Sequence, residues 1–352
     1  MSMPDPYTIA WDAETESIVY IDQTLLPGRY EQMRCTTVED LARAIRRLEV
    51  RGAPALGIAG AMGVALAAVR STETDLGRFL GEIRRAADLL KSTRPTAVNL
   101  AWGIDRVARK VAMAASVAEA KAIAVAEANA VAEEDELTCR RLGAFGEELF
   151  PAECTVLTHC NAGALACRCW GTALGMIRSA VAAGKNVRVI ACETRPLNQG
   201  SRLTCWELAR DKIDVTLIPD SSAAYLMRKG KIDLVIVGAD RITRDAVFNK
   251  IGTYMHAVSA HHHGIPFYVA APVSTFDLAR TEKDITVEER DRAELAYCGE
   301  RMLAPDGVNV LNYAFDATPL DLVDAIITEI GVLRPPYAES FRLVGKGEGA
   351  QR

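Results

Sequence analysis

Two residues stand where a strand-like run gives way to a loop, and their types suit acid–base chemistry. Asp240 follows residues 232–237, a run that is apolar apart from Asp233, rich in β-branched side chains and of strand length. A strand covered on both faces reads this way. The run breaks at Gly238, and Asp240 is the first ionisable residue after it. Open α/β sheets bind ligands at the carboxyl ends of their strands, so a carboxyl group there is placed to give or take a proton. The competing reading, an aspartate capping the next turn, is as common for a lone residue. Cys160 is the second. It lies in His159-Cys160-Asn161-Ala162-Gly163, after a strand-like run at 154–159, with a helix expected to start near Gly163. A helix N-terminus favours thiolate, which makes a cysteine a base or a nucleophile. The other eight cysteines read as packing residues.

Cations come next. Arg51 precedes Gly52-Ala53-Pro54 and the apolar stretch LGIAGAMGVALAAV, with Pro54 suited to a first helical turn. Arg94 precedes Pro95-Thr96 and AVNLAWGIDRVARKVA, with Thr96 as the expected cap. Two arginines, each ahead of a helix whose N–H groups attract anions, could converge on a phosphate, although either alone reads as surface charge. Gly57, Gly60 and Gly63 lie inside the helix, which suits close packing rather than a phosphate loop. A third polar patch, residues 193–200, ends another strand-like run, and Asn249-Lys250 is expected to open a helix and add a cation. A dinucleotide site is not expected, because the first strand–helix turn reads Cys-Asn-Ala-Gly instead of G-x-G-x-x-G. A zinc site at His159, Cys160, Cys167 and Cys169 is set aside, since the C-x-C pair falls in the expected helix and no second ligand pair completes it. His261-His262-His263 reads as the polar end of a helix before Gly264.

These residues need elements to carry them. From residue 151 onward, strand-like runs at 154–159, 187–192, 215–218, 232–237 and 267–271 alternate with helical stretches beginning near Gly163, Gly200, Ser222 and Phe248. That is the pattern of a doubly wound parallel sheet, Rossmann-like. In the usual strand order, 3-2-1-4-5, the first and fourth strands are neighbours at the switch point, which sets Cys160 beside Asp240. Residues 1–150 read as a smaller, mainly helical domain with a short β-hairpin around residues 18–22, an amphipathic helix at 37–50 capped by Thr37, and an Ala/Glu-rich helix at 117–149. The fold class is therefore α/β, with a division near Pro151 separating 1–150 from 151–352.

Composition excludes several classes. At 352 residues the chain can bury a large core, and 49% hydrophobic and 25% charged residues describe an ordinary globular protein. A net charge of −5 and no basic stripe argue against nucleic acid. Residues 54–69 are short for a membrane span and read as a buried helix. The first residues lack the pattern of a secretory signal, and nine scattered cysteines suit a reducing cytoplasm.

The motifs also resemble a known family. THCNAGALA (158–166), GTALGMIR (171–178), ETRPLNQGSRLT (193–204), GADRI (238–242), NKIGT (249–253), RGAPALGIA (51–59), RPTAVNLAW (94–102) and NYAFDATP (312–319) are similar to methylthioribose-1-phosphate isomerases of methionine salvage. The wider superfamily holds ribose-1,5-bisphosphate isomerases and regulatory subunits of translation initiation factor 2B. The resemblance implies a cofactor-free aldose–ketose isomerase acting on a 5-substituted ribose 1-phosphate, as a homodimer; no metal is expected from the ligand spacing. It implies catalytic roles for Cys160 and Asp240, and substrate-binding roles for Arg51, Gly52, Ala53, Arg94, Gln199, Asn249 and Lys250. A non-catalytic sugar-phosphate sensor is the competing class, and retention of both Cys160 and Asp240 speaks against it. Two departures lie beside the expected site: Cys167-Arg168-Cys169 stands where the family has Thr-Gly-Gly, and the loop between GADRI and NKIGT is short and lacks an Asn-Gly turn. Both bear on the C5 substituent. Arg168 is expected to point away from the site, because a charge beside an apolar pocket is costly unless paired.

Overall fold

The structure, a computed structural model, describes residues 7–348. The chain forms two compact units, Met1–Arg140 with Gly163–Gly171, and Arg141–Ala162 with Thr172–Arg352. The expected domains end on residues 1–6 and 349–352, which lie outside the described residues. The units part at Arg140 rather than near Pro151, because Leu142 and Phe150 pack with the second unit's sheet and helix residues.

In the first unit, β1 (Ile9–Asp12), β2 (Ser17–Ile21) and β3 (Gln32–Cys35) form an antiparallel sheet, so the expected hairpin has a third strand. The hydroxyl of Thr37 caps α1 (Val38–Arg46) by accepting the N–H of Asp40. That helix stops short of Val50 because Leu48 turns to φ 62. Then come α2 (Ala53–Arg70), α3 (Leu76–Thr93), α4 (Val98–Val111) and α5 (Val117–Glu147). α2 carries Pro54 in its first turn and is buried along most of its length, as a core helix that is apolar on every side must be. A Cβ on Gly60 would meet the Leu100 carbonyl oxygen at 2.7 Å, and one on Gly103 would meet that of Gly57 at 2.0 Å. The glycines therefore bring α2 and α4 to backbone contact. Thr96 is not the cap of α4. That position falls to Ala97, which has no capping side chain, because the helix begins one residue later than expected.

In the second unit, β4 (Glu153–Thr158), α6 (Ala173–Ala182), β5 (Asn186–Cys192), α7 (Cys205–Arg210), β6 (Val215–Ile218), α8 (Ala223–Arg228) and β7 (Leu234–Val237) alternate as expected. The chain then leaves the sheet for β8 (Arg241–Ile242) and β9 (Ala246–Lys250) and returns through α9 (Thr253–His263) to β10 (Phe267–Ala270). Beyond lie α10 (Arg292–Ala296), the small hairpin β11 (Tyr297–Cys298) and β12 (Arg301–Met302), then β13 (Phe315–Pro319), β14 (Ala325–Thr328), β15 (Gly331–Leu333) and α11 (Tyr337–Glu348).

The large sheet runs β15-β14-β10-β7-β4-β5-β6, parallel except for β15. For the five strands read from the sequence this is the doubly wound order, with β4 and β7 adjacent. Val156, Val189, Leu234 and Ile236 fill the core on one face, and Leu157, Ile190, Val235 and Val237 fill it on the other. Side chains alternate along a strand, so unbroken apolar runs are what a sheet covered on both sides requires.

Two expected helix starts move. After β4 the helix begins at Ala173 rather than near Gly163, because Gly163–Gly171 departs to join the first unit. After β7, Phe248, Asn249 and Lys250 lie in β9, which pairs with β13, and α9 starts only at Thr253.

Candidate active site

Cys160 and Asp240 leave the carboxyl ends of the neighbouring strands β4 and β7. Close approach there needs Gly238, since a Cβ on it would lie 2.7 Å from the Cβ of Ala162. Cys160 is half-buried and takes φ 64, a left-handed conformation that a side-chain-bearing residue keeps only when its surroundings impose it.

Two threonines impose it. The Cys160 N–H donates to Thr194 Oγ1 at 2.9 Å, and its carbonyl accepts from Thr204 Oγ1 at 2.6 Å. Thr194 donates in turn to the Cys192 carbonyl at 3.1 Å, and the N–H groups of Thr194 and Arg195 are held by the Asp220 carboxylate at 2.7 and 2.8 Å. Thr204 closes a π-helical turn, Gly200–Thr204, of the kind that clusters at functional sites. Gly200 is obligatory in it, because a Cβ would fall 1.7 Å from the Cys192 carbonyl oxygen.

The next residue is anchored through charge. Asn161 Nδ2 donates to Glu207 Oε1 at 2.8 Å, and Glu207 and Asp211 both bind Arg178, at 2.9 and 2.6 Å. Burial works against the guanidinium, but the two carboxylates outweigh it and hold Arg178 charged, its pKa above the ordinary value. The helix-start argument for a reactive Cys160 does not hold, with α6 beginning only at Ala173. Hydrogen bonds with Thr194 and Thr204 fix the Cys160 backbone instead.

Asp240 is half-buried, and its N–H donates to the Phe248 carbonyl at 2.9 Å. That bond ties it to β9, the strand of Asn249 and Lys250. Both are buried; Asn249 Nδ2 donates to Thr253 Oγ1 at 3.0 Å, and the Lys250 ammonium sits 4.7 Å from the centre of the Phe315 ring. Gln199 is buried at the entrance to the π-helical turn. Its Oε1 is buried and has no hydrogen-bond partner among the described residues.

Cys160, Asp240, Gln199, Asn249 and Lys250 thus belong to the second unit, and Arg51, Gly52, Ala53 and Arg94 to the first. Within the first unit Arg51 is buried directly ahead of α2, and Arg94 ends α3 just before α4. Gly52 takes φ 94, and a Cβ there would fall 2.5 Å from the Ala166 Cα, so Gly163–Gly171 rests on the start of α2. In that segment Arg168 stacks 4.0 Å over the Tyr7 ring, its N–H donates to Asp135 and its carbonyl accepts from Thr8.

Among the described residues, two groups of side chains have the make-up of metal ligands. His159, Cys192, Asp220 and His256 offer atoms within 4.8 Å of one another, as do Asp135, Cys139 and Cys167. The Cys139 thiol is pushed well up by its contact with Cys167 and by burial, and burial pushes Cys169 up to about 12, so both stay protonated. Of the zinc set dismissed from sequence, His159 and Cys160 fall in the second unit and Cys167 and Cys169 in the first. Sequence reasoning missed Thr194, Thr204, Glu207 and His256. ETRPLNQGSRLT held the first two in plain view, but only a bond across more than thirty residues gives them a role.

The profile of the initiation factor 2 subunit family matches residues 49–335. A putative methylthioribose-1-phosphate isomerase of Archaeoglobus fulgidus is 57% identical over 330 residues, 94% of this chain and 96% of that protein. A 5-deoxyribose 1-phosphate isomerase of Moorella thermoacetica is 51% identical over 345 residues, 97% of each. Among solved structures, 5-methylthioribose 1-phosphate isomerase from Pyrococcus horikoshii OT3 superposes with a TM-score of 0.90 at 41% identity, covering 97% of this chain and 96% of that one. A structure described as translation initiation factor eIF-2B, subunit delta, from A. fulgidus superposes with a TM-score of 0.87 at 56% identity, covering 97% and 100%.

Proposed function

Since the chain belongs to the initiation factor 2 subunit family, we propose that Cys160 and Asp240 are the acid–base pair with which it isomerises a sugar phosphate. The protein is an aldose–ketose isomerase of methionine salvage. It converts 5-methylthioribose 1-phosphate, or a close 5-deoxy relative, to the corresponding ribulose 1-phosphate. The observation that carries the residue assignment is the adjacency of β4 and β7, whose ends bear a thiol and a carboxyl group.

The substrate has a particular difficulty. Phosphate on O1 locks the anomeric centre, so the ring cannot open as a free hemiacetal would. The Asp240 carboxyl group donates its proton to the ring oxygen as the bond from that oxygen to C1 breaks. In one route Cys160 takes the C2 proton; the enol then loses its O2 proton to leave a carbonyl at C2, and C1 gains a proton. In the other the C2 hydrogen moves to C1 as hydride while O2 loses its proton. Neither route needs an outside oxidant. Arg51, Arg94 and Lys250 supply cations for the phosphate, and Gln199 and Asn249 supply polar contacts for the sugar. Arg168 stacks on Tyr7, which favours an apolar C5 group over a second phosphate. The working form is a cytoplasmic homodimer, and a single-chain mass by light scattering would overturn the dimer.

The A. fulgidus structure is named as a translation initiation factor subunit, which leaves a second reading, a non-catalytic regulatory protein, a sensor that binds sugar phosphate without turning it over. Incubation with 5-methylthioribose, 5-deoxyribose and 5-phosphoribose 1-phosphates separates the readings. Ketose from either of the first two is expected; binding with no ketose from any of them would leave the sensor. Deuterium at C1 after reaction in D2O would mark the proton route, and its absence the hydride shift.

A further inference from the structure

The reaction leaves two buried histidines unused. His159 immediately precedes Cys160, and His256 lies in the first turn of α9; their ring centres are 4.7 Å apart. His159 Nε2 is 2.8 Å from the Ile251 carbonyl oxygen. A carbonyl only accepts, so Nε2 carries the proton and Nδ1 of the neutral ring must accept. Facing that Nδ1 at 3.2 Å is His256 Nε2, which is therefore a donor. Thr194 Oγ1, at 3.5 Å, already donates to the Cys192 carbonyl. Both rings thus take the Nε2–H tautomer, and His256 Nδ1 is left buried with no hydrogen-bond partner among the described residues. Burial keeps the pair neutral, holding His159 down to about 4 and His256 down to about 3.

We propose that His159 and His256 are positioning residues: His159 is a neutral strut that fixes the spacing between Cys160 at the end of β4 and Lys250 at the end of β9, and His256 braces its ring. The proposal rests on the isomerase reading above. One end of the strut is covalent, since His159 and Cys160 share a peptide bond. The other holds the carbonyl of Ile251, the neighbour of Lys250. Gly252 completes the seat: it takes φ 101, and a Cβ there would lie 3.1 Å from His159 Nε2, so the turn rests on the ring. The Asp316 carboxylate pins the same turn, accepting from the N–H groups of Gly252 at 2.7 Å and Tyr254 at 3.1 Å.

The strut holds and does not conduct, because it ends on a carbonyl that cannot pass a proton on. A divalent metal is the other chemistry that His159, Cys192, Asp220 and His256 suggest. Hydrogen bonds already engage three members of the cluster: both Asp220 oxygens accept backbone N–H groups, both nitrogens of His159 are bonded, and His256 Nε2 donates to His159.

His256→Phe keeps a ring and deletes the donor, and His256→Gln supplies an amide donor in its place. The measurements are turnover of 5-methylthioribose 1-phosphate, iodoacetamide alkylation of Cys160 relative to exposed Cys298 by mass spectrometry, and imidazole 15N shifts of the wild type. We expect Nε2–H shifts for both rings at neutral pH and a fall in kcat of ~10-fold or more in His256→Phe, as small displacements at a reacting centre produce. Relative Cys160 alkylation should change as well, and His256→Gln should recover most of both. Unchanged kcat and alkylation in His256→Phe, or Nδ1–H shifts in the wild type, would overturn the strut. So would a chelator that alters those shifts. If His256→Phe does not fold, the wild-type shifts and His256→Gln still decide. A change in Cys160 alkylation in a protein that isomerises no ribose 1-phosphate would keep the strut and remove the reaction.

Discussion

At the end of β4 the backbone of Cys160 is held by side chains that arrive from elsewhere: Thr194 on its N–H, Thr204 on its carbonyl, and Glu207 on the following asparagine. At the end of β7 the means are different. Gly238 sits against Ala162 with no room for a methyl group, and the Asp240 N–H donates to the Phe248 carbonyl of β9. A frame of hydroxyl groups is directional, so it can hold a residue at φ 64, but each bond can be deleted singly. A packed frame gives no such handle and tolerates no added volume. The base side of the pair should therefore answer to lost hydrogen bonds, and the acid side to added atoms.

The largest effects belong to the pair itself. Cys160→Ala and Asp240→Asn should each lower turnover by at least ~100-fold, as loss of a positioned proton-transfer group does. Both sites are half-buried, so thermal unfolding should shift little. Near-normal turnover in either variant would remove that residue from the mechanism, and with it one side of the comparison.

Next come the two frames. Gly238→Ala forces a Cβ to within 2.7 Å of that of Ala162 and should destabilise by ~1–3 kcal/mol, the usual range for overpacking. It should also displace Asp240, two residues on. The second change Ala162→Gly should restore both stability and turnover. Thr204→Val deletes the donor to the Cys160 carbonyl and should cost ~1–2 kcal/mol. Its loss should fall on kcat, with Thr204→Ser close to wild type. Equal behaviour of the valine and serine variants would show that the hydroxyl is not what holds Cys160.

The two strand ends were also unequally legible. Residues 232–237, apolar apart from Asp233, announced a strand covered on both faces, and the shorter apolar stretch within 154–159 was a weaker sign of the same sheet. The order that sets β4 beside β7 is the usual one for such an alternation, and the sheet has it. What failed was local continuity. A helix was expected straight after Cys160 because Gly163 and the alanines that follow favour one, yet Gly163–Gly171 belongs to the first unit. Asn249 and Lys250 looked like a helix start, but β13, more than sixty residues later, claims them as a strand. Thr194, Thr204 and His256 carry no local signal at all, since their partners are distant in sequence. Motif resemblance could name Cys160 and Asp240, but not what holds them.

The polar end of β4 should also leave a pH signature. His159 and His256 are neutral when folded, held near 4 and 3 by burial, while their unfolded value is near 6.5. The unfolded chain takes up protons as pH falls below 6.5, so stability is full above that pH and drains away towards 4 and 3. The slope is about 1.4 kcal/mol per pH unit for each ring. Asp316 works in the opposite sense. Burial raises it to about 6, so below that pH the folded form takes the proton first and gains. Comparing wild type with His256→Phe cancels Asp316. The stability difference between them should move towards the variant by about 2 kcal/mol from pH 7 to pH 5. A difference that stays constant with pH would show that His256 is not held neutral.

The smallest effect is expected at Arg168, where the chain departs from the family's glycines. Its guanidinium lies 4.0 Å over Tyr7, and its backbone N–H and carbonyl are both engaged, with Asp135 and Thr8. Arg168→Met keeps the stem and both backbone bonds and removes only the charge. The loss should be the cation–π contact, ~0.5–1 kcal/mol of stability at such a site. Because that charge is already spent on Tyr7, the ratio of kcat/KM for 5-methylthio over 5-phospho substrates should change by less than about threefold, a shift under ~1 kcal/mol. A tenfold swing towards the methylthio substrate would mean that the guanidinium meets the C5 group during turnover. The cysteines on either side would then flank a specificity element rather than fill space.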